Sequence, residues 1–158
     1  MRDRFRKRRE KALEPAEILA DAEAAAKEDG LRFTPIRRHV LQTLVDAGAP
    51  MKAYDLLRSL EGIGSDSPPT VYRALDFLTD LGAVRRVDSL NAFVALRFGA
   101  TREEIAFAVC ETCGRVSELA ARPAFDALYE AAEDAGFKGL SASLEVRVQC
   151  ANCPANAN

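Results

Sequence analysis

The sequence of 158 residues contains a single histidine, His39. Catalytic constellations of the Ser/His/Asp and Cys/His kinds use a histidine as the base, and a histidine-rich metal site needs more than one. His39 lies inside a predicted helix, so we interpret it as an ordinary helix residue rather than a ligand or a pH switch. The near-absence of histidine therefore predicts a protein that is not an enzyme.

Long apolar runs are absent as well. No stretch approaches the ~20 residues of a membrane-spanning helix, and the N-terminus is charged, unlike a signal peptide. These absences predict a cytoplasmic protein without a membrane partner. The composition is otherwise globular, with 48% hydrophobic and 29% charged residues, and the length suits one domain or two small ones.

An overall positive charge is also missing, because the formal net charge is −2 and the pI is about 5.5. The charge is uneven, however. Residues 1–11 contain seven Lys/Arg and two acidic residues, a net of +5, so the other 147 residues sum to −7. We expect a basic disordered tail over residues 1–13. A basic arm on an acidic body suits a protein that contacts phosphates locally, and the alternative is a tail that only aids solubility.

Apolar spacing predicts a winged-helix domain over residues 14–97. Four helices are expected, at residues 15–29, from Thr34-Pro35 to Gly48, at residues 53–60, and from Pro68 to Gly82. Two β-prone runs, 83–88 and 91–96, flank Ser89-Leu90 and predict a hairpin. Three helices followed by a hairpin form a winged helix, and we expect the leading helix to pack outside its core.

The helix that begins at Pro68 is the candidate nucleic-acid reader. Ser67 is a suitable N-cap, and proline fits the first turn of a helix because it needs no amide partner there. Tyr72 and Arg73 fall in the first turns and away from the apolar face. Such residues are typical of a helix whose N-terminal part touches base edges. The alternative is an ordinary surface helix with one solvated arginine.

The second half of the chain predicts a small α/β domain over residues 98–158. It begins with a polar joint at residues 98–104. Strands are expected at residues 105–109, 115–119 and 140–148, with a helix at residues 123–135. We expect exposed edges of this sheet to pair across a dimer.

Four cysteines form two C-x-x-C pairs, Cys110 with Cys113 and Cys150 with Cys153. Without an export signal, such pairs indicate a metal site before they indicate disulfides. Zinc favours four sulfur ligands in a tetrahedron, at about 2.3 Å each. The two pairs therefore predict a closed structural zinc site that ties the first strand of the second domain to its last residues. A thioredoxin-type redox pair is the alternative, but here turn-like residues follow both pairs.

Several segments resemble the ferric uptake regulator superfamily, and within it the zinc uptake regulator branch. They are FTPIRRHVLQTLVDAG (33–48), AYDLL (53–57), PPTVYRALDFLTDLGAVRRVDSLNAFV (68–94) and CETCGRVSEL (110–119). The resemblance implies a homodimeric winged-helix repressor of a double-stranded DNA operator, with a C-terminal dimerisation domain. It further implies that Tyr54, Tyr72 and Arg73 contact DNA and that the four cysteines bind structural zinc.

The sequence departs from the zinc-sensing site that this resemblance implies. That branch uses a histidine and a cysteine at the two ends of the wing, a histidine in the joint, and a glutamate after the CxxCG turn. The corresponding residues here are Arg85, Leu96, Glu103 and Glu118. Leucine has no donor atom and arginine carries a fixed positive charge, so neither binds zinc. We expect lost or altered zinc sensing, with an Arg85–carboxylate pair to Glu103 or Glu118 in place of the metal.

Three alternatives stay open. A weak carboxylate metal site is one, formed by Asp88, Glu103, Glu104 and Glu118. Sensing by the four-cysteine site itself is another. The third is a different function, a protein-interaction module that heterodimerises with a paralogous regulator.

Overall fold

The computed structural model describes residues 13–62, 67–97, 105–139, 141–151 and 153. These residues form two compact units, 13–97 and 105–153. The predicted tail up to residue 12, part of the loop before the fourth helix (63–66) and the joint (98–104) lie outside the described residues, so the exact domain boundaries stay predictions. Within the described ranges, no helix combines the length and apolarity that crossing a membrane requires.

The first unit contains four helices and a hairpin, as the sequence predicts. They are α1 (Pro15–Glu28), α2 (Pro35–Ala47), α3 (Ala53–Ser59), α4 (Pro68–Asp80), β1 (Val84–Val87) and β2 (Ala92–Ala95). Thr34 caps α2, because its Oγ1 accepts a hydrogen bond from the backbone N–H of Arg37 at 3.4 Å. Ser67 occupies the N-cap position of α4, but its hydroxyl bonds to Thr70 Oγ1 at 2.8 Å. The predicted side-chain cap at Ser67 is therefore wrong.

One apolar core joins the four helices to β1. Its buried members come from the four helices and β1, and they include Ile18, Ala22, Ala26, Val40, Leu44, Leu56, Val71, Leu75, Leu78 and Val84. The prediction that α1 packs outside this core is wrong. Alanines at residues 22, 25 and 26 give α1 a small buried face that lets it lie close against α2, and an ion pair between Glu23 and Arg38 joins the two helices.

The hairpin forms an antiparallel wing in which Val84 lies opposite Ala95 and Arg85 opposite Val94. Its turn is longer than the predicted two residues. A 3₁₀ turn at Asp88–Leu90 leads into Asn91, whose φ of 48° is left-handed, a conformation that asparagine tolerates better than most residues. Met51 exchanges two backbone hydrogen bonds with Phe93, of 2.9 and 2.8 Å, which fixes the start of α3 to the wing.

The second unit contains β3 (Ile105–Cys110), β4 (Val116–Ala120), α5 (Arg122–Asp134) and β5 (Glu145–Val148). The strand order is β4-β3-β5, with β3 antiparallel to β4 and parallel to β5. The predicted strand at 140–148 is too long, because residues 141–144 are not in the sheet. Two of those residues are serines, which favour turns over strands.

Candidate nucleic-acid interface and metal centre

Helices α3 and α4 present the three residues predicted to contact DNA. Tyr54, in the first turn of α3, is 68% exposed, and Tyr72, near the start of α4, is 51% exposed. Val71 and Leu75 point into the core, so helical geometry turns Tyr72 and Arg73 outward. Arg73 has no ion pair or side-chain hydrogen bond with any residue in the described ranges. Its guanidinium is therefore free to bind a ligand.

Two contacts of α2 fix the orientation of this surface. The Nε2–H of His39 donates a hydrogen bond of 2.8 Å to the carbonyl oxygen of Ser59, the last residue of α3. The guanidinium of Arg37 lies 3.5 Å from the centre of the Phe77 ring, which belongs to α4. Together they connect α2 to both helices that carry the candidate DNA contacts.

Neither contact was predicted from the sequence. For Arg37 a signal existed, because a positive charge in the first turn of a helix opposes the helix dipole and therefore favours a compensating partner. For His39 no local signal could have found the partner, since Ser59 lies 20 residues further along the chain.

The four cysteine sulfurs cluster within 4.8 Å of one another. Cys110 and Cys153 are separated by 4.0 Å between Sγ atoms, and Cys113 and Cys150 by 3.7 Å. A zinc tetrahedron with bonds of about 2.3 Å has sulfur–sulfur edges of about 3.8 Å, whereas a disulfide is about 2.05 Å long. The observed separations therefore fit a tetrahedral zinc ion and not two disulfides.

The topology of the second unit brings these two pairs together. Cys110 ends β3, and Cys150 follows the end of β5, the parallel neighbour in which Val148 lies opposite Cys110. Parallel strands end at the same edge of a sheet, so the two C-x-x-C turns meet there. Gly114 completes the first turn with a φ of 70°, a conformation that favours glycine.

Backbone amides favour the ionised form of one of the four thiols, that of Cys110. Amide hydrogen bonds, chiefly from Cys150 at 3.5 Å and then from Cys113, lower the pKa of the Cys110 thiol to about 5. Burial raises the pKa of the Cys150 thiol. Zinc binds thiolates, so a sulfur already stabilised as a thiolate among three others is a suitable first ligand.

The hairpin contains two of the four positions that the sensing site would need. Arg85 lies opposite Val94, and Leu96 follows two residues later, so both side chains share one face of the hairpin. Both are buried, Arg85 being 7% exposed and Leu96 5%. Glu118 lies on β4 in the second unit and is half-buried, whereas Glu103 lies outside the described residues.

Comparison with known proteins identifies the family, because residues 28–147 match the ferric uptake regulator family. The chain belongs to that family. One relative is the zinc uptake regulation protein of Escherichia coli K12, 37% identical over 139 residues that cover 87% of this chain and 81% of the relative. Another is the peroxide operon regulator of Bacillus subtilis 168, 32% identical over 145 residues and covering 90% and 98%.

Solved structures agree with this ferric uptake regulator assignment. A zinc uptake regulator complexed with zinc and DNA matches with a TM-score of 0.82 and 35% identity, over 88% of this chain and 94% of that one. The family resemblance predicted from the motifs is thus confirmed. The predicted α+β fold with a four-cysteine cluster is confirmed too. The individual roles of the DNA-contacting and sensing-site residues stay predictions.

Proposed function

We propose that this family member is a sequence-specific transcriptional repressor that binds a double-stranded DNA operator as a homodimer. The observation that carries this proposal is Arg73, which lies beside Tyr72 on α4, is exposed and has no ion pair with the residues that the structure describes. The first turns of α4 enter the major groove, where Arg73 contacts a base edge, and Tyr54 and Tyr72 contact phosphate or base. The solved relative bound to zinc and DNA supports this arrangement. The protein acts in the compartment that contains the DNA.

The second unit supplies the homodimer contact in this proposal. Strands β4 and β5 are the outer strands of its sheet, and both have exposed apolar residues, Leu119 and Val146. Leu128 on α5 is exposed as well. Strand edges that pair with no other strand among the described residues, and that lie beside apolar side chains, favour association with a second copy. A symmetric pair of chains presents two α4 helices to a two-fold symmetric operator.

The zinc ion of this repressor has a structural role. Cys110, Cys113, Cys150 and Cys153 hold one zinc ion, which ties the ends of β3 and β5 together. In the hairpin, Leu96 offers no donor atom, and the buried positive charge of Arg85 repels a cation. A buried guanidinium is stable only when hydrogen-bond acceptors compensate its charge, so the interior around Arg85 suits a cationic side chain and not a metal ion. Zinc sensing at that site is lost.

Substituting Arg73 with alanine is expected to weaken operator binding by about 1–3 kcal/mol, roughly 5- to 150-fold, and to relax specificity at one base pair. The measurement is fluorescence anisotropy of the homodimer on a DNA site selected in vitro and on its single-base variants. Arg115→Ala is the matched control, because Arg115 is an exposed arginine in the second unit.

Two results would argue against this prediction. Equal losses for Arg73→Ala and Arg115→Ala would mean that only overall charge matters. No site-specific binding by the unmodified homodimer would favour the alternative function, a module that acts through a paralogous regulator.

A further inference from the structure

We propose that Asp76 is a specificity-determining residue of the DNA-binding surface, and that its carboxylate accepts a hydrogen bond from the exocyclic amine of a cytosine in the major groove. This inference rests on the proposed function and adds a second base contact to that of Arg73. Asp76 lies on α4, is exposed, and forms no ion pair or hydrogen bond through its side chain with the residues that the structure describes.

The position of Asp76 along α4 places it on the face that carries the other candidate DNA contacts. An α-helix turns by about 100° and rises by about 1.5 Å per residue. Asp76 therefore projects about 40° from the direction of Tyr72, between Tyr72 and Arg73, and lies about 4.5 Å further along the axis than Arg73. Successive base pairs are about 3.4 Å apart, so the carboxylate faces the base pair next to the one that Arg73 contacts.

The contacts of the neighbouring residues fix the direction in which Asp76 points. Phe77 is half-buried, because the guanidinium of Arg37 lies 3.5 Å from its ring centre and the ring of Phe33 packs edge-on at 6.1 Å. On the other side of Asp76, Leu75 is buried in the core. Rotation of α4 about its axis would break these contacts, so the carboxylate is held in one direction before DNA binds.

The usual reasons for an acidic residue on a helix surface do not apply to Asp76. It lies well beyond the first turn of α4, so it does not complement the positive end of the helix dipole. Arg73, three positions earlier, is the one basic residue of α4, and the two form no ion pair. Asp80, four positions later, has the same charge, which is unfavourable at this spacing. Phosphates repel a carboxylate as well, and a base contact offsets these costs.

The chemistry of the base edges decides which base a carboxylate selects. A carboxylate accepts hydrogen bonds and donates none. In the major groove cytosine presents only a donor, its N4 amine, whereas guanine presents two acceptors and thymine presents one acceptor beside a methyl group. Adenine presents an N6 amine together with the N7 acceptor, which repels a carboxylate. Cytosine is therefore the base that Asp76 selects.

The test is DNA binding by the full-length, zinc-loaded homodimer and by its variants Asp76→Ala and Asp76→Asn. Fluorescence anisotropy measures the affinity for a DNA site selected in vitro and for every single-base variant of that site. We expect the unmodified protein to prefer cytosine by at least about 5-fold at a base pair next to the one where Arg73→Ala relaxes specificity. Asp76→Ala removes this preference. Asp76→Asn changes it to adenine, because a carboxamide donates to N7 and accepts from N6.

Asp55→Ala is the matched control, because Asp55 is an exposed acidic residue beside Tyr54 on α3, and this variant should leave every base preference unchanged. A cytosine preference that survives in Asp76→Ala would overturn the inference. A gain in affinity that is equal on all sequences would overturn it too, and so would a loss of preference confined to the base pair that Arg73 contacts. No specific binding by the unmodified protein would instead contradict the proposed function itself.

Discussion

Replacing Cys110 with serine is expected to reduce bound zinc to well below one ion per chain and to unfold the unit of residues 105–153. A serine hydroxyl stays protonated and does not replace a thiolate ligand. Cys110 is also the sulfur that receives the amide hydrogen bonds and joins β3 to the site. The variant therefore removes the ligand whose thiolate form the surrounding backbone amides stabilise.

The expected effect is large because the second unit has little else to stabilise it. Among its described residues the fully enclosed large side chains are Phe107 and Phe125, and β5 has only four residues. Structural zinc contributes about 10–16 kcal/mol in zinc-finger peptides, whereas whole domains are stable by about 5–15 kcal/mol. The binding free energy of the ion is therefore about as large as the whole stability of a domain, so we expect this small unit to unfold when the ion is lost.

Zinc content, limited proteolysis and sedimentation of the Cys110→Ser variant measure this effect together. We expect rapid cleavage after residue 104, slow cleavage within residues 13–97, and loss of the dimer. Thr112→Ala, in the same turn but without a sulfur ligand, is the control and should retain zinc and dimer. A Cys110→Ser protein that keeps one zinc ion per chain and resists protease would contradict the structural role of the site.

A restored sensing site is expected to make DNA binding dependent on zinc. The variant combines Arg85→His, Leu96→Cys and Glu103→His, which introduces the two histidines and the cysteine that the family resemblance implies at these positions. Positions 85 and 96 share a face of the wing at diagonal places, where Cα atoms are about 7–8 Å apart and side chains can converge on one ion. The Arg85→His substitution also removes a buried positive charge, which would repel a metal cation.

Zinc titration and operator binding of this triple variant measure the effect. We expect a second zinc ion per chain and a gain in DNA affinity of at least about 10-fold on adding zinc. Arg85→His alone provides too few ligands and serves as the control. A triple variant that still binds one zinc ion, with unchanged DNA affinity, would show that residues other than these set the metal response.

Local patterns made most of the fold predictable from the sequence. Thr34-Pro35 and the glycines after the helices locate the ends of α2 and of its neighbours. Such signals are local, because caps and turns depend on residues only a few positions apart. The two C-x-x-C pairs likewise predicted a cluster that the structure brings together. Each of these signals is contained within a short stretch of chain.

The features that the sequence did not reveal are set by distant contacts. The burial of α1 depends on the fit of its alanine face to α2, and the length of β5 depends on its pairing with β3. In the strand Val84–Val87, alternation predicts that Arg85 faces away from the side of Val84, yet both are buried. A two-stranded wing with two buried faces cannot be distinguished by periodicity from one that exposes its arginines.

We propose that DNA binding by this protein requires its structural zinc and no further metal ion. The direct measurement is operator affinity of protein that holds one zinc ion per chain, first with free zinc buffered to a very low level and then with zinc restored. The claim predicts the same affinity in both conditions, within about twofold. Release from the operator at low free zinc, with binding recovered as a second ion per chain returns, would contradict it.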